Sequence, residues 1–259
     1  MSMKIGTFNV NGIRARLPIV MSWLETQEPD VLCLQETKVA DTLFPHEALE
    51  SRGYCCVYRG QKAYNGVAVL SKQEPDDVSF GFLDGYETEE ARLAAIRLGD
   101  LWVVNTYVPQ GQAPDSEKFL YKLDWLGRLC RYFKRFYRPE GRLCWVGDFN
   151  VAPEPIDVYD PERLLGHVGY HPDEHCALEK IKAWGFVDVI RKLRPEERIY
   201  SFWDYRIPQA VSRAMGWRID HIWATVSMAE RCVEAWVDLE PRVATRPSDH
   251  AVVAAVFEI

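Results

Sequence analysis

Six stretches of the sequence place carboxylates, carboxamides, a phenol or an imidazole where an apolar run stops. They are Asn9-Val10-Asn11-Gly12, Gln35-Glu36-Thr37-Lys38, Asn105-Thr106-Tyr107-Val108-Pro109, Gly147-Asp148-Phe149-Asn150, Arg218-Ile219-Asp220-His221 and Pro247-Ser248-Asp249-His250. Strand ends are where a layered fold exposes polar side chains on rigid supports. No cysteine stands among them. Oxygen donors with at most one imidazole suit a hard cation, Mg²⁺ or Mn²⁺, better than zinc. Such a cation beside acids and an imidazole is equipped to drive water onto a phosphate ester. Taken singly, each piece has a plainer reading. Glu36 alone would be a solvated surface residue, Asp148 with Asn150 a turn, and Asp249 a turn cap. His250 alone would be a satisfied core histidine and Tyr107 a strand aromatic. Their joint placement at strand ends favours chemistry.

Positioning these groups takes a sheet framework. Runs rich in β-branched residues recur at Lys4–Val10, Val31–Gln35, Tyr54–Tyr58, Gly66–Leu70, Arg92–Leu98, Leu101–Val108, Leu143–Gly147, Arg218–Ala224, Val233–Leu239 and Ala251–Glu258. Helical spacing follows Pro18 through Ile19, Trp23 and Leu24, runs from Phe119 to Phe133, and links Ala177, Ile181 and Trp184 ahead of Gly185. Neighbouring runs without an intervening helix, as between Arg92 and Val108, argue against a purely parallel βαβ sheet. The pattern predicts an α/β protein of two mixed sheets packed as a sandwich and covered by helices. Nothing reads as a linker or a repeat, so residues 1–259 are expected to form one domain.

The chain is 47% hydrophobic and 27% charged, enough for a full core and inconsistent with disorder. Nine Trp within 12% aromatic content suggest rigid surfaces for packing or stacking. Its 31 basic and 38 acidic residues give a net charge of −7, which argues against a protein whose main task is clamping nucleic acid electrostatically. The start, MSMKIGTFNV, lacks the apolar core of a secretion signal. The longest apolar run, Ala251 to Phe257, falls far short of the ~18 residues that cross a bilayer. A cytoplasmic protein without membrane contact is expected. Cys33, Cys130 and Cys144 sit in apolar runs, and adjacent Cys55 and Cys56 cannot readily chelate one zinc, so neither a zinc site nor a disulfide framework is expected.

The segments TFNVNGIRAR, LCLQETK, NGVAVLSK, NTYVPQG, WVGDFNVAPEPIDVY, GWRIDHIWAT and PSDHAVVAAVFE run in order along nearly the whole chain. Together they resemble the exonuclease III family of abasic-site endonucleases, within the DNase-I-like endonuclease/exonuclease/phosphatase superfamily. The Asn, QE, GDxN and SDH elements belong to the superfamily at large. NGIRAR, the Lys of QETK, YVPQG and WRID narrow the resemblance to the DNA-repair branch. It implies a four-layered αββα sandwich and a divalent-metal-dependent nuclease that cuts duplex DNA 5′ of an abasic site. A 3′→5′ exonuclease or 3′-end-cleaning activity would use the same site.

Carried over residue by residue, Glu36 would hold the cation and Asp249 would join its shell, with Asn9 positioning the site and Asn150 bonding water or phosphate. Asp148 would accept a proton from the attacking water or orient it. His250 would contact the scissile phosphate, its tautomer fixed by Asp220, and Tyr107 would stand at the phosphate. Asn9, Asp148, Asn150 and His250 are counted with the metal ligands as well. The family pattern implies one or two Mg²⁺ or Mn²⁺ ions, no organic cofactor, and a monomer acting on double-stranded DNA. Some members carry Asp where this chain has Asn11, which offers an oxygen but no charge and weakens the case for a second cation. Phe202, Trp217 and Ile219 match a pocket for a flipped-out baseless sugar, with plain core packing as the equal alternative. As DNA-binding residues, Gln112 matches a position that relatives place against the DNA strand, Arg92 one where relatives also carry Arg, and Lys38, beside Glu36, would approach phosphate. With cations offsetting the acids, a basic rim and a modest, salt-sensitive DNA affinity are expected.

Two other classes compete. A superfamily phosphatase or phosphodiesterase acting on a small-molecule or lipid phosphate would share Glu36, Asp148, Asn150, Asp249 and His250 but lack NGIRAR and YVPQG. A DNA-binding module without catalysis would have lost one of the acids or His250. The basic run Arg128 to Arg138 reads as a solvated helix face. His167, His171 and His175 recur every fourth residue, but Pro172 breaks the helix that a metal site there would need.

Overall fold

The computed structural model describes residues 2–86 and 90–259. Two six-stranded sheets carry the architecture. One runs in the order β11 (Cys232–Asp238), β12 (Val252–Glu258), β1 (Ser2–Asn9), β2 (Val31–Gln35), β4 (Val67–Ser71), β3 (Cys55–Arg59). The other runs β5 (Asp77–Phe80), β6 (Leu93–Leu98), β7 (Leu101–Tyr107), β8 (Arg142–Asp148), β10 (Asp220–Thr225), β9 (Phe186–Asp188). β1 and β2 are parallel, as are β7 and β8, while the other pairs are antiparallel, so both sheets are mixed.

The central strands are apolar on both faces because both faces are covered. Ile5, Cys33, Val69, Ile96, Val103, Val146, Ile222 and Val253 meet between the sheets. On the outside of the first sheet, Phe8, Leu32, Leu34 and Ala254 pack under Val20, Trp23 and Leu24 of the helix Ile13–Gln27. On the outside of the second, Val104, Trp145 and Trp223 pack under Trp125, Leu129 and Phe133 of the helix Glu117–Phe136 and Ile181 of the helix Pro172–Lys182. The four layers αββα expected from the family pattern are those observed.

Differences from the sequence reading have local causes. β5 and β9 are edge strands of four and three residues, too short to show a period. The first helix begins ahead of Pro18, because the Gly12 and Ile13 N–H groups donate to the Glu36 and Thr37 carbonyls at 2.7 and 3.0 Å. Arg128 is buried rather than solvated: it forks onto Asp84 at 3.0 Å and lies over the Phe82 ring. Cys130 is half-buried, not a core thiol. His171 caps the helix that starts at Pro172, and His175 bonds the Ala152 carbonyl, so those histidines serve the backbone.

The site follows from strand direction. β1 and β2 end together, and β12, antiparallel to β1, begins at the same rim. Asp148 ends β8 opposite both Tyr107 and Asp220. Gly147, at φ +137°, lets β7 and β8 close up just before Asp148, since a Cβ there would lie 1.9 Å from the Thr106 carbonyl oxygen.

Candidate active site

Asn9 is buried where the two sheets meet, and its Nδ2 donates to Glu36 Oε1 and to Asp148 Oδ2, each at 2.8 Å. Its Oδ1 accepts the Asn11 N–H at 3.0 Å. One carboxamide thus tethers an acid from each sheet, and its orientation makes it a holder of ligands rather than a ligand itself. From Glu36 the network continues outward. Lys38 Nζ lies 2.6 Å from Glu36 Oε2 and donates to Asn11 Oδ1 at 2.5 Å, while Asn11 Nδ2 donates to Asp249 Oδ1 at 3.0 Å. Sharp turns bring these residues inward: Asn11, Glu36, Lys38 and Asn150 all have φ between 45° and 55°. Asn accepts that left-handed backbone readily, whereas Glu36 and Lys38 are held in it by cross-loop bonds from Thr37 and Lys38 N–H to the Gly66 and Asn65 carbonyls.

Asp148 Oδ1 accepts the Asn150 N–H at 2.8 Å, and Oδ2 accepts Asn150 Nδ2 at 3.2 Å. His250 Nδ1 faces Asp220 Oδ2 at 2.8 Å, leaving Nε2 3.9 Å from Asp148 Oδ2. Two serines hold this couple in place. Ser201 Oγ accepts the Ile219 and Asp220 N–H groups, and Ser248 Oγ donates to the Asn9 carbonyl and accepts the His250 N–H. Phe202, whose ring centroid is 4.9 Å from that of His250, bridges from the same segment.

Burial and neighbouring charges separate the proton affinities of these groups. Burial pushes the Asp148 carboxyl up to about 7, aided by Asp220 and opposed by His250 and Asn9. Burial opposes charge on His250, but Asp220 and Asp148 outweigh it and lift the imidazole to about 10. Glu36 is also penalised by burial, yet Lys38 and Asn9 bring it below the usual carboxylate range. The Tyr107 phenol is driven well above its ordinary value by burial and by Glu36 and Asp148, so it is a hydrogen-bond donor. The arrangement offers a base near neutrality, an imidazolium and a phenol side by side.

The cleft above them encloses about 600 Å³. Glu36, Tyr107, Asp148, Asn150, Asp249 and His250 line it together with the apolar Phe202, Trp217, Ile219 and Leu164. Phe202 and Trp217 are half-buried, with one face on the cleft, while Ile219 is 6% exposed. Gln112 lies on the exposed rim. Arg92 does not reach outward: it bonds Glu90 and the Tyr107 carbonyl and stacks 4.7 Å from the Tyr107 ring, so it braces that phenol. Lys38 likewise sits inside the site, on Glu36. Of the acidic run 87–90, residues 87–89 lie outside the described residues.

The donor set fits a hard cation. Asp148, Asp220 and His250 bring ligand-type atoms within 4.8 Å of one another. Within that trio the imidazole is drawn to its charged form, which repels a cation. Glu36 and Asp249 bring further carboxylate oxygens to the same cleft, the donor type Mg²⁺ and Mn²⁺ require, while Lys38 engages Glu36 Oε2 and the Asn11 oxygen.

Sequence reading passed over Arg16, whose guanidinium ties the Asn11 carbonyl to the Pro247 carbonyl at 2.9 and 3.0 Å and so sets the approach of Asp249. It also missed a buried charge network beneath β10. Arg218 grips Asp157 through two bonds of 2.7 and 3.0 Å and Asp188 through one of 2.7 Å, with Arg191 also on Asp157. His221 stands beside Arg218 and bonds the Val151 carbonyl at 2.9 Å. These partners lie 30 and 61 residues away in sequence, beyond any local pattern.

Comparison with known proteins agrees with this geometry. The family pattern described as the endonuclease/exonuclease/phosphatase family matches residues 6–250. Exodeoxyribonuclease III of Haemophilus influenzae is 36% identical over 268 aligned residues, covering 99% of this chain and 100% of that protein. An AP endonuclease from Archaeoglobus fulgidus superposes with a TM-score of 0.96 at 48% identity, covering 99% of this chain and 100% of that one. The 3′ phosphatase NExo from Neisseria, solved with a product DNA hairpin, gives a TM-score of 0.94 at 39% identity over the same shares.

Proposed function

Starting from a chain that belongs to the endonuclease/exonuclease/phosphatase family, we infer that the cleft hydrolyses a DNA phosphodiester with water as the nucleophile. The protein is a DNA repair nuclease of the exodeoxyribonuclease III and AP endonuclease type. One observation carries the reaction: Asp148, tethered by Asn9, stands 3.9 Å from His250 Nε2, whose other ring nitrogen is fixed on Asp220, in a cleft that Phe202, Trp217 and Ile219 also line. Asp148 orients the attacking water and takes its proton. The His250 imidazolium, fixed by Asp220, bonds a phosphate oxygen as negative charge builds there. Asn150 steadies Asp148 and the Tyr107 phenol donates to the phosphate or the leaving oxygen. A divalent cation, Mg²⁺ or Mn²⁺, held by Glu36 with Asp249, would neutralise the non-bridging oxygens.

Phe202, Trp217 and Ile219 favour a deoxyribose without its base, because an apolar surface suits the bare sugar and a baseless residue is cheapest to flip out. Incision 5′ of an abasic site is the reading this supports, and the Neisseria relative's 3′ phosphatase name favours trimming of blocked 3′ ends on the same site. The whole site lies on one chain, which is the ground for a monomer. Chromosomal DNA as substrate is the ground for a cytoplasmic enzyme. No helix among the described residues is long and apolar enough to cross a membrane.

The test incubates the protein with a duplex holding one abasic analogue, with Mg²⁺ and with chelator, beside an undamaged duplex with recessed 3′ ends. Metal-dependent incision 5′ of the lesion is expected. Cleavage of a small phosphomonoester with no action on either duplex would overturn the reading in favour of a phosphatase.

A further inference from the structure

Behind the cleft lie two charged side chains that the reaction does not use. Lys122, on the helix Glu117–Phe136, and Glu174, on the helix Pro172–Lys182, are both 0% exposed and paired with each other. Lys122 Nζ also donates to the Asn150 carbonyl at 2.7 Å and to the Gln110 carbonyl at 3.3 Å. An ammonium has three donors, and all three are engaged. Glu174 Oε2 accepts the Gly169 N–H at 2.7 Å and the His171 N–H at 3.1 Å. Two side chains therefore pin three loops that have no strand to hold them.

Each loop carries part of the cleft. Asn150 bonds Asp148 through backbone and side chain, so one residue separates the ammonium from the base. Gln110 and Gln112 line the cleft from the loop after Tyr107. Gly169 accepts the Ala152 N–H at 2.7 Å and packs against Trp217, whose ring would stand 3.3 Å from a Cβ there. Gly111 is equally close to the clamp, since its Cβ would lie 3.2 Å from Lys122 Cδ and from Val168. A buried ion pair is a poor device for stability, because a well-packed apolar pair of similar volume is often as good. Its geometry is what an apolar pair could not reproduce.

We propose that Lys122 and Glu174 are a positioning pair that locks the three cleft loops into one arrangement and so sets turnover rather than DNA affinity. The catalytic half of this rests on the nuclease reading above. Glu174→Gln keeps an acceptor for Gly169 and His171 but takes the charge away from Lys122. On the abasic duplex its kcat should fall by about tenfold to a hundredfold, with KM and duplex Kd within about twofold of the parent. Amide hydrogen exchange should quicken together at Ala113, Ala152 and Gly169. The double variant Lys122→Met with Glu174→Met should stay folded by thermal melting and share the kcat defect. Unchanged kcat in either variant, a loss matching only the unfolded fraction, or faster exchange confined to Gly169 would overturn the proposal. In the parent protein the three amides should open with a common rate, and rates differing more than about tenfold would also overturn it. A parent protein that fails to cut the duplex sinks the nuclease reading instead, while the exchange arm still decides whether the pair couples the loops.

Discussion

Replacing Asp220 with Asn isolates the charge behind His250. The parent contact is 2.8 Å long between a fully buried carboxylate and an imidazole only 4% exposed. A hydrogen bond to a charged group contributes about 1.5–3 kcal/mol, against about 0.5–1.5 kcal/mol for a neutral one. Asn keeps the shape and can still accept from Nδ1, so the loss is the difference, roughly 1–2 kcal/mol. If the imidazolium is needed most when charge builds on the phosphate, that difference appears in kcat as about a five- to thirtyfold drop. Duplex affinity should hold within about threefold. Asp220→Ala should fall further, because a buried imidazole N–H is then left without a partner. Single-turnover incision of the abasic duplex measures the first quantity and equilibrium binding the second. A second signal is independent of turnover. The carboxylate is the chief force lifting His250 to about 10 against burial, so in the Asn variant the imidazole titration, followed by NMR, should move down toward or below 6.5. Parent-like kcat in Asp220→Asn, or a defect wholly explained by weaker DNA binding, would refute the reasoning.

Three further outcomes follow from the structure. Burial, with Arg218 beside it, lowers His221 from 6.5 to about 4. The unfolded chain then binds a proton between those values that the folded one refuses, so stability is full above pH 6.5 and falls as pH drops toward 4, by about 3 kcal/mol at most. Urea unfolding at pH 7, 5.5 and 4.5 should show that slope flattened in His221→Gln, and equal slopes in both proteins would count against it. Gly147→Ala should cost about 3 kcal/mol or more in the same assay, since its Cβ meets backbone at 1.9 Å in left-handed φ; near-parent stability would contradict the close approach of β7 and β8. Trp217→Ala should narrow the incision ratio between abasic and undamaged duplex by about tenfold or more, and an unchanged ratio would remove Trp217 from substrate selection.

The acids and His250 were legible because each sits where a run of β-branched residues ends, and strand direction alone then brings them to one rim. The ten longer strands were readable for the same reason, whereas β5 and β9 owe their form to neighbours rather than to any period of their own. Long-range bonds stayed hidden. Asn9 shows only that a carboxamide ends β1; that it reaches Asp148, 139 residues on, depends on how the sheets face each other. Arg92 and Lys38 look like free basic residues in sequence, and the fold turns both inward onto Tyr107 and Glu36. Arg128 was misread because its partner Asp84 lies 44 residues back.

β12 lies between β11 and β1, and Asp249 and His250 directly precede it. During synthesis every other strand of the two sheets leaves the ribosome before this one, so the place between β11 and β1 is filled last, and Asp249 and the imidazole arrive after the other parts of the site. A chain without this last segment holds Glu36, Asp148 and Asp220 but neither Asp249 nor the imidazole. The strand that completes the first sheet is thus also the one that completes the site.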